Sequence, residues 1–144
     1  MNTMTTQDLS EAMAKIDFAM FTTRSENGDL ASRPMSNNGE VEWSGDSFYF
    51  SWNSARTISD IERDAKVSLS FQGSAHLLGK PPLFIAIEGH ATLIRDKARF
   101  AEHWHKSLDR WFPDGMDTDG VVLIQVHANR AHFWDGEDNN EVPV

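Results

Sequence analysis

The sequence predicts an antiparallel β-barrel with flanking α-helices, and three observations carry that expectation. Strand-forming runs follow one another without helices between them, which favours an antiparallel sheet. An Asn27-Gly28 pair stands between two such runs, a strong local hairpin signal. Lys66 to Gln72 alternates cleanly between apolar and polar residues, as a half-buried strand does. Closing such a sheet on itself removes its exposed edges.

In chain order, Leu9, Ala12, Met13 and Ile16 recur at helical spacing, with Asp8 and Glu11 near the start of that helix. Phe18 to Thr23 is a run of strand formers. It turns at Glu26-Asn27-Gly28-Asp29, where a two-residue type I′ turn is expected, and continues as Leu30 to Met35. Asn37-Asn38-Gly39 and Ser44-Gly45-Asp46 read as turns around a short segment. Phe48 to Trp52 is a third strand. Asn53 and Ser54 then open a helix that carries Ile58 and Ile61 on one face.

After the Lys66–Gln72 strand, Gly73 to Pro82 holds two glycines and two prolines and is expected to be a loop. Leu83 to Ile94 is a long strand with Ile85, Ile87 and Leu93 on one face; its Gly89 marks a bend or a close approach. Asp96 is placed to cap a helix in which Phe100, Trp104, Leu108 and Trp111 form one stripe. Pro113 to Gly120 is a linker, Val121 to Val126 and Ala131 to Trp134 are one strand or two, and the acidic tail after Asp135 is expected to be loose. Neither a repeat nor a second domain is visible, so residues 1–144 read as one domain.

Composition narrows the function. The net charge is −9, from 13 basic and 22 acidic residues. A negative envelope repels nucleic-acid phosphates and anionic lipid surfaces, so neither is an expected partner. A few local cations suffice to hold a small anion. The chain has no cysteine, which excludes disulfides, thiolate catalysis and Cys-based metal sites and fits a reducing compartment. Met1 to Ser10 shows no basic region followed by an apolar run, and no segment approaches the ~20 apolar residues that span a bilayer. A cytoplasmic location is expected.

Ser54-Ala55-Arg56-Thr57 stands where a strand gives way to a helix. The first N–H groups of a helix lack partners and form the positive end of its dipole. Hydroxyls at Ser54 and Thr57 and the guanidinium of Arg56 add donors there, a set suited to a phosphate. The plainer alternative is that Ser54 caps the helix and Arg56 pairs with a surface acid. Arg33, directly before Pro34, is a second cation beside an irregular strand edge, and a surface arginine is its ordinary reading.

Phe18 to Arg24 followed by Ser32-Arg33-Pro34-Met35 resembles the opening of the pyridoxamine 5′-phosphate oxidase-like superfamily, and within it the general stress protein subfamily. Phe48 to Ile58 resembles that family's strand–turn–helix, Ile61 to Phe71 its next helix end and strand, and Glu88-Gly89-His90-Ala91 its following strand. The resemblance covers residues 9 to 134. It implies a mainly β fold, a six-stranded antiparallel split β-barrel of Greek-key type with flanking α-helices. It also implies a homodimer with two flavin mononucleotide (FMN) sites at the interface. Arg33, Pro34 and Met35 are implied to lie along the isoalloxazine ring and ribityl chain, and Phe50, Ser51 and Trp52 to face the ring. Ser54, Arg56 and Thr57 are implied to hold the phosphate, and Gln72 is a candidate ring or ribityl contact. Trp104 or Trp111, contributed across the interface, is a candidate cover for the ring, although their helical spacing equally suits core packing.

Two departures stand out. Ala55 occupies one position of a basic pair that the family often carries. After Phe133-Trp134-Asp135-Gly136, which resembles the Phe-Trp-x-Gly of true pyridoxamine phosphate oxidases, the chain runs Glu137-Asp138-Asn139-Asn140-Glu141 where those enzymes have substrate-gripping cations. Pyridoxamine phosphate oxidase activity is therefore not expected.

No metal-binding pattern occurs among the six histidines, and no side chain stands out as acid, base or nucleophile. The expected function is that of an FMN flavoprotein with oxidoreductase capacity. The alternatives are a flavin-binding stress-response module without turnover, or a barrel for a related cofactor. The deazaflavin F420 would need more cations for its acidic tail. Haem would need an axial histidine from among His76, His90 and His127.

Overall fold

A computed structural model describes residues 4–36, 42–74, 79 and 81–144. The turn expected at Asn37-Asn38-Gly39, most of the centre of the Gly73–Pro82 loop and His76 lie outside these residues. The elements run α1 (Thr6–Ala14), β1 (Phe18–Arg24), β2 (Leu30–Ser36), β3 (Asp46–Trp52), α2 (Arg56–Arg63), β4 (Lys66–Gln72), β5 (Phe84–Ile94), β6 (Val121–Asp135) and β7 (Asp138–Val142). Between β5 and β6 lie three short 3₁₀ turns, at Lys97–Glu102, Lys106–Arg110 and Gly115–Asp117.

All the strand pairs are antiparallel. The path across the sheet is β2-β1-β4-β5-β6-β3, with β7 paired to β6. The chain thus leaves one end of the path at β2 and re-enters at the other end as β3. Four strand spacings of 4.7–4.9 Å separate β1 from β3 along this path, about 19 Å if the sheet were flat. Phe21 of β1 nevertheless meets Tyr49 of β3 edge to face, with ring centroids 5.7 Å apart. The sheet is therefore strongly curled. It has seven strands rather than the expected six, and among the described residues its ends, β2 and β3, do not pair with each other.

The curl encloses one core. Phe21, Tyr49, Leu69, Phe71, Ile85, Ile87, Val122 and Ile124 point into it, and α1 and α2 add Leu9, Met13, Ile58 and Ile61. Thr5 starts α1 through a reciprocal cap with Asp8, satisfying two of the helix's unpaired donors. A second, smaller cluster lies on the other side of β6. Val121 and Leu123 pack there against Ile94, Phe100, Leu108 and Phe112. Burial on both faces explains why Val121 to Ile124 are all buried instead of alternating.

Three local expectations are corrected. The β1–β2 loop is a three-residue turn, with Gly28 N–H donating to the Ser25 carbonyl at 2.9 Å and Gly28 at φ 80°. A two-residue turn over Asn27-Gly28 would set Glu26 opposite Asp29 and shift the register by one residue, turning every β2 side chain to the other face. The stripe from Phe100 to Trp111 is not one helix. Asp96 does cap its first turn, accepting from Ala98 N–H at 3.0 Å, but His105 begins a second turn by accepting from Ser107 N–H. Packing on β6 overrides the helical spacing. The tail is not loose: Asp135 pairs with Asp138 across a tight turn with Gly136 at φ 65°, and Val142 is buried in the main core.

Gly89 is a point of close approach, as its position in a strand suggested. The β5–β6 register shifts between Glu88 and Gly89, and a Cβ at Gly89 would overlap the His127 carbonyl oxygen. Gly89→Ala is expected to destabilise the fold by about 1–3 kcal/mol through this backbone overlap. Urea unfolding monitored by tryptophan fluorescence would measure it.

Candidate functional site

The place where the sheet fails to close holds a cavity of about 360 Å³. Pro34, Met35 and Ser36 of β2 and Phe18 of β1 line one side; Phe50, Ser51 and Trp52 of β3 line the other. Leu108, Trp111 and Phe112 cover it from the 3₁₀ segment. Its volume lies in the range of small-molecule sites, and such sites are mostly apolar with a few polar groups. None of the lining side chains is ionisable. The aromatic packing is continuous: Trp52 lies 5.0 Å from Phe112 between ring centroids, and Trp104 bridges Phe50 at 4.7 Å and Phe112 at 5.5 Å.

Polar chemistry gathers beside this cavity. Arg33 directly precedes Pro34 on β2, and Arg56 opens α2 four residues after Trp52. Both converge on Asp60. Its Oδ2 lies 3.6 Å from Arg33 Nη2 and 3.9 Å from Arg56 Nε, and its Oδ1 lies 3.4 Å from Arg63 Nη1. The Asp60 carboxylate is fully buried, and Thr23 Oγ1 donates to Oδ2 at 2.7 Å. Arg33 Nη1 donates to Thr23 Oγ1 at 2.8 Å and to the Phe21 carbonyl at 3.3 Å. Burial lowers the Arg33 pKa from its usual value; the Asp60 carboxylate opposes that shift, and the charge of Arg56 adds to it.

The residues expected at the site therefore separate into groups. Pro34, Met35, Phe50, Ser51, Trp52 and Trp111 share the cavity, and Arg33 and Arg56 share Asp60. Ser54 is exposed and does not cap α2: the N-cap is Ala55, without a side-chain hydrogen bond. Thr57 is buried in the first turn of α2. Trp104 packs beneath the cavity and donates its Nε1–H to Asp109 Oδ1 at 2.9 Å. Gln72 is exposed at the end of β4, opposite Phe84, and does not line the cavity.

Sequence reasoning passed over Asp60, Thr23, Phe18, Leu108 and Phe112. Asp60 carried one readable signal, its i+4 spacing from Arg56, which puts both on one helix face. Its contact with Arg33 crosses three elements and has no local signature. His90 and His127 sit away from the cavity, where His127 Nδ1 meets Asp46 Oδ1 at 2.8 Å and His90 Nδ1 meets Asn129 Oδ1 at 3.1 Å. Among the described residues no His, Asp and Glu group could hold a metal ion, and no helix is long and apolar enough to cross a membrane.

The family model "Pyridoxamine 5′-phosphate oxidase like" matches residues 4–143. The chain belongs to this family. It is 27% identical over 135 residues to protein bli-3 of Neurospora crassa, covering 88% of this chain and 62% of that protein's length. Among solved structures it is similar to a Clostridium acetobutylicum protein related to general stress protein 26, with a TM-score of 0.80, 15% identity and coverage of 94% and 92% of the two chains. It is likewise similar to the general stress FMN/FAD binding protein of Xanthomonas citri, with a TM-score of 0.74, 20% identity and coverage of 96% and 94%. The fold is shared across nearly the whole length of both structures.

The cavity walls differ in what they contribute to stability. Phe112 is buried against Trp52 and Trp104, whereas Trp111 is 52% exposed. Phe112→Ala is expected to cost about 3–5 kcal/mol of stability, and Trp111→Ala less than about 1 kcal/mol. Chemical denaturation of the two variants side by side would show the difference.

Proposed function

We propose that this chain is an FMN-binding flavoprotein that works as an oxidoreductase without pyridoxamine phosphate oxidase activity. The observation that carries the reading is the joining of an apolar, aromatic-lined seam cavity to a pair of guanidinium groups at a strand-to-helix junction. A flavin has that same division, a flat ring at one end and a phosphate at the other. Pro34, Met35, Phe50, Ser51 and Trp52 would contact the ring and ribityl chain. Arg56, Arg33, Thr57 and Ser54 would surround the phosphate near the first N–H groups of α2. Bound FMN would supply the hydride or electron chemistry, while the chain orients the ring and keeps water from it. That the similar Xanthomonas citri protein is an FMN/FAD binding protein supports a flavin. The described histidines do not favour haem, because His90 and His127 lie off the cavity.

The C-terminal segment supports the absence of pyridoxamine phosphate oxidase activity. Asp138 to Val142 is committed to pairing with β6, where Arg130 Nε meets Glu141 and His132 meets Asn139. These groups are occupied with one another and bring no free cationic grip to a phosphorylated substrate. One observation favours the second reading, a flavin-binding module without turnover: no ionisable side chain lines the cavity.

Purified protein is expected to be yellow or to quench the fluorescence of equimolar FMN. Arg56→Ala is expected to weaken FMN by about 1.5–3 kcal/mol, or about 10- to 150-fold in Kd. Colourless protein that leaves FMN fluorescence unchanged would refute the reading. Stopped-flow mixing with a reduced nicotinamide cofactor separates the two forms of it: rapid bleaching of the flavin means an oxidoreductase, no bleaching a binding module.

A homodimer belongs to the same proposal. Cross-strand partners share a face of a sheet. The register Gln72↔Phe84↔Trp134 and Met20↔Pro34 places Phe84, Trp134, Met20 and Pro34 on the outer face, where Phe18 also lies, two residues from Met20. Phe18, Met20, Phe84 and Trp134 are all exposed. Large apolar side chains exposed on one face, on either side of the polar Ser70 and Gln72 of β4, suit an interaction surface. It adjoins the cavity through Phe18 and Pro34, so a second copy seated there would lie over the opening. Light scattering of the wild type is expected to give the mass of two chains, and Phe84→Glu with Trp134→Glu the mass of one. A wild-type monomer at micromolar concentration would exclude the dimer.

A further inference from the structure

Asp60 is the charged residue held fully out of solvent among those described. A buried carboxylate is costly unless it is paired and hydrogen-bonded. The apolar anchorage of α2 does not require it, because Ile58 and Ile61 already fix the helix to the core. Its contribution is geometric. Thr23 Oγ1 donates to Asp60 and accepts from Arg33, so a single hydroxyl on β1 ties β2 to α2. The same carboxylate oxygen lies 3.6 Å from Arg33 and 3.9 Å from Arg56. Without an intervening negative charge these two guanidiniums would repel each other.

Cationic charge remains in excess. Arg33, Arg56 and Arg63 surround the one buried carboxylate, and Arg63 is also drawn outward to Glu26 at 3.9 Å. Arg56 keeps 57% of its side chain exposed and Arg33 20%, so both retain a surface open to a ligand. Nothing in the FMN reading requires this acid; an acid beside a phosphate site would, by charge alone, weaken binding.

We infer that Asp60 is a positioning residue, whose carboxylate, anchored through Thr23, holds Arg33 and Arg56 together so that both address the phosphate of FMN. The inference rests on the FMN reading above. It makes the sign of one mutation decisive. If Asp60 acted only as a nearby negative charge, neutralising it would tighten an anionic ligand. If it positions the arginines, neutralising it loosens that ligand.

The test is the affinity of Asp60→Asn for FMN and for riboflavin, which lacks the phosphate, each followed by flavin fluorescence quenching beside the wild type. FMN binding is expected to weaken about tenfold or more, through loss of a charge-assisted arrangement, with riboflavin changed less than about twofold. Asp60→Glu should recover part of the loss. Thr23→Val, which keeps the carboxylate and its direct ion pair with Arg33 but removes the hydroxyl that bridges them, should lose FMN selectively and to a smaller degree. Unchanged or tighter FMN binding by folded Asp60→Asn, or equal losses of FMN and riboflavin, would overturn the inference while leaving the FMN reading standing. Wild-type protein that binds neither flavin would instead bring down the reading itself. Should Asp60→Asn fail to fold, the same comparison of FMN with riboflavin on Thr23→Val decides the matter.

Discussion

The fold depends on a sheet that curls around its core without closing. Phe21 and Tyr49, on strands that stand far apart along the sheet, meet ring to ring inside it. That contact brings the two free ends of the sheet near each other, and the seam cavity lies between them. Pro34 shows why the gap suits the sequence. Its partner Met20 belongs to β1, and along the free edge of β2 proline has no N–H to offer a further strand. The edge that would have closed the sheet is lined instead by side chains facing a cavity.

The outer layer follows from the same arrangement. β6 is buried on both faces at Val121 to Ile124, by the curled core on one side and by Phe100, Leu108 and Phe112 on the other. The segment supplying that second layer crosses the sheet as short, separately capped turns, which carry Trp111 and Phe112 to the mouth of the seam. Stability and site are thus built from overlapping residues. Phe50 and Phe112 belong both to the packing of the outer layer and to the cavity wall.

Electrostatics show a similar economy at a smaller scale. A chain with a net charge of −9 gathers three arginines around one buried acid. A net negative charge disfavours large anionic surfaces by long-range repulsion. The local excess of cations suits that corner to a small anion. These properties act over different distances, since the screening length at physiological salt is about 8 Å, and they do not conflict.

Much of this was legible in the residue order. The alternation of Lys66 to Gln72, the stripe of Leu9 and Met13 and the strand-to-helix step at Trp52 to Arg56 each report on neighbours within a turn or a pleat, and each stands in the structure as expected. Pro34, Met35, Phe50, Ser51 and Trp52, expected along one ligand, line one cavity; Trp111, expected from across an interface, lines that cavity within its own chain. The acidic tail misled because its composition masks the tight turn at Asp135-Gly136 and the burial of Val142. The aromatic stripe misled because helical spacing does not say whether a sheet will accept a helix or only short turns. What the sequence alone determined was local: periodicity, turns, and the residue types that meet along one strand or helix. What only the tertiary structure decided was the curl of the sheet, the seam it leaves, and the meeting of Arg33 with Asp60 through Thr23, because contacts between distant segments depend on register and closure, which no short stretch of chain encodes.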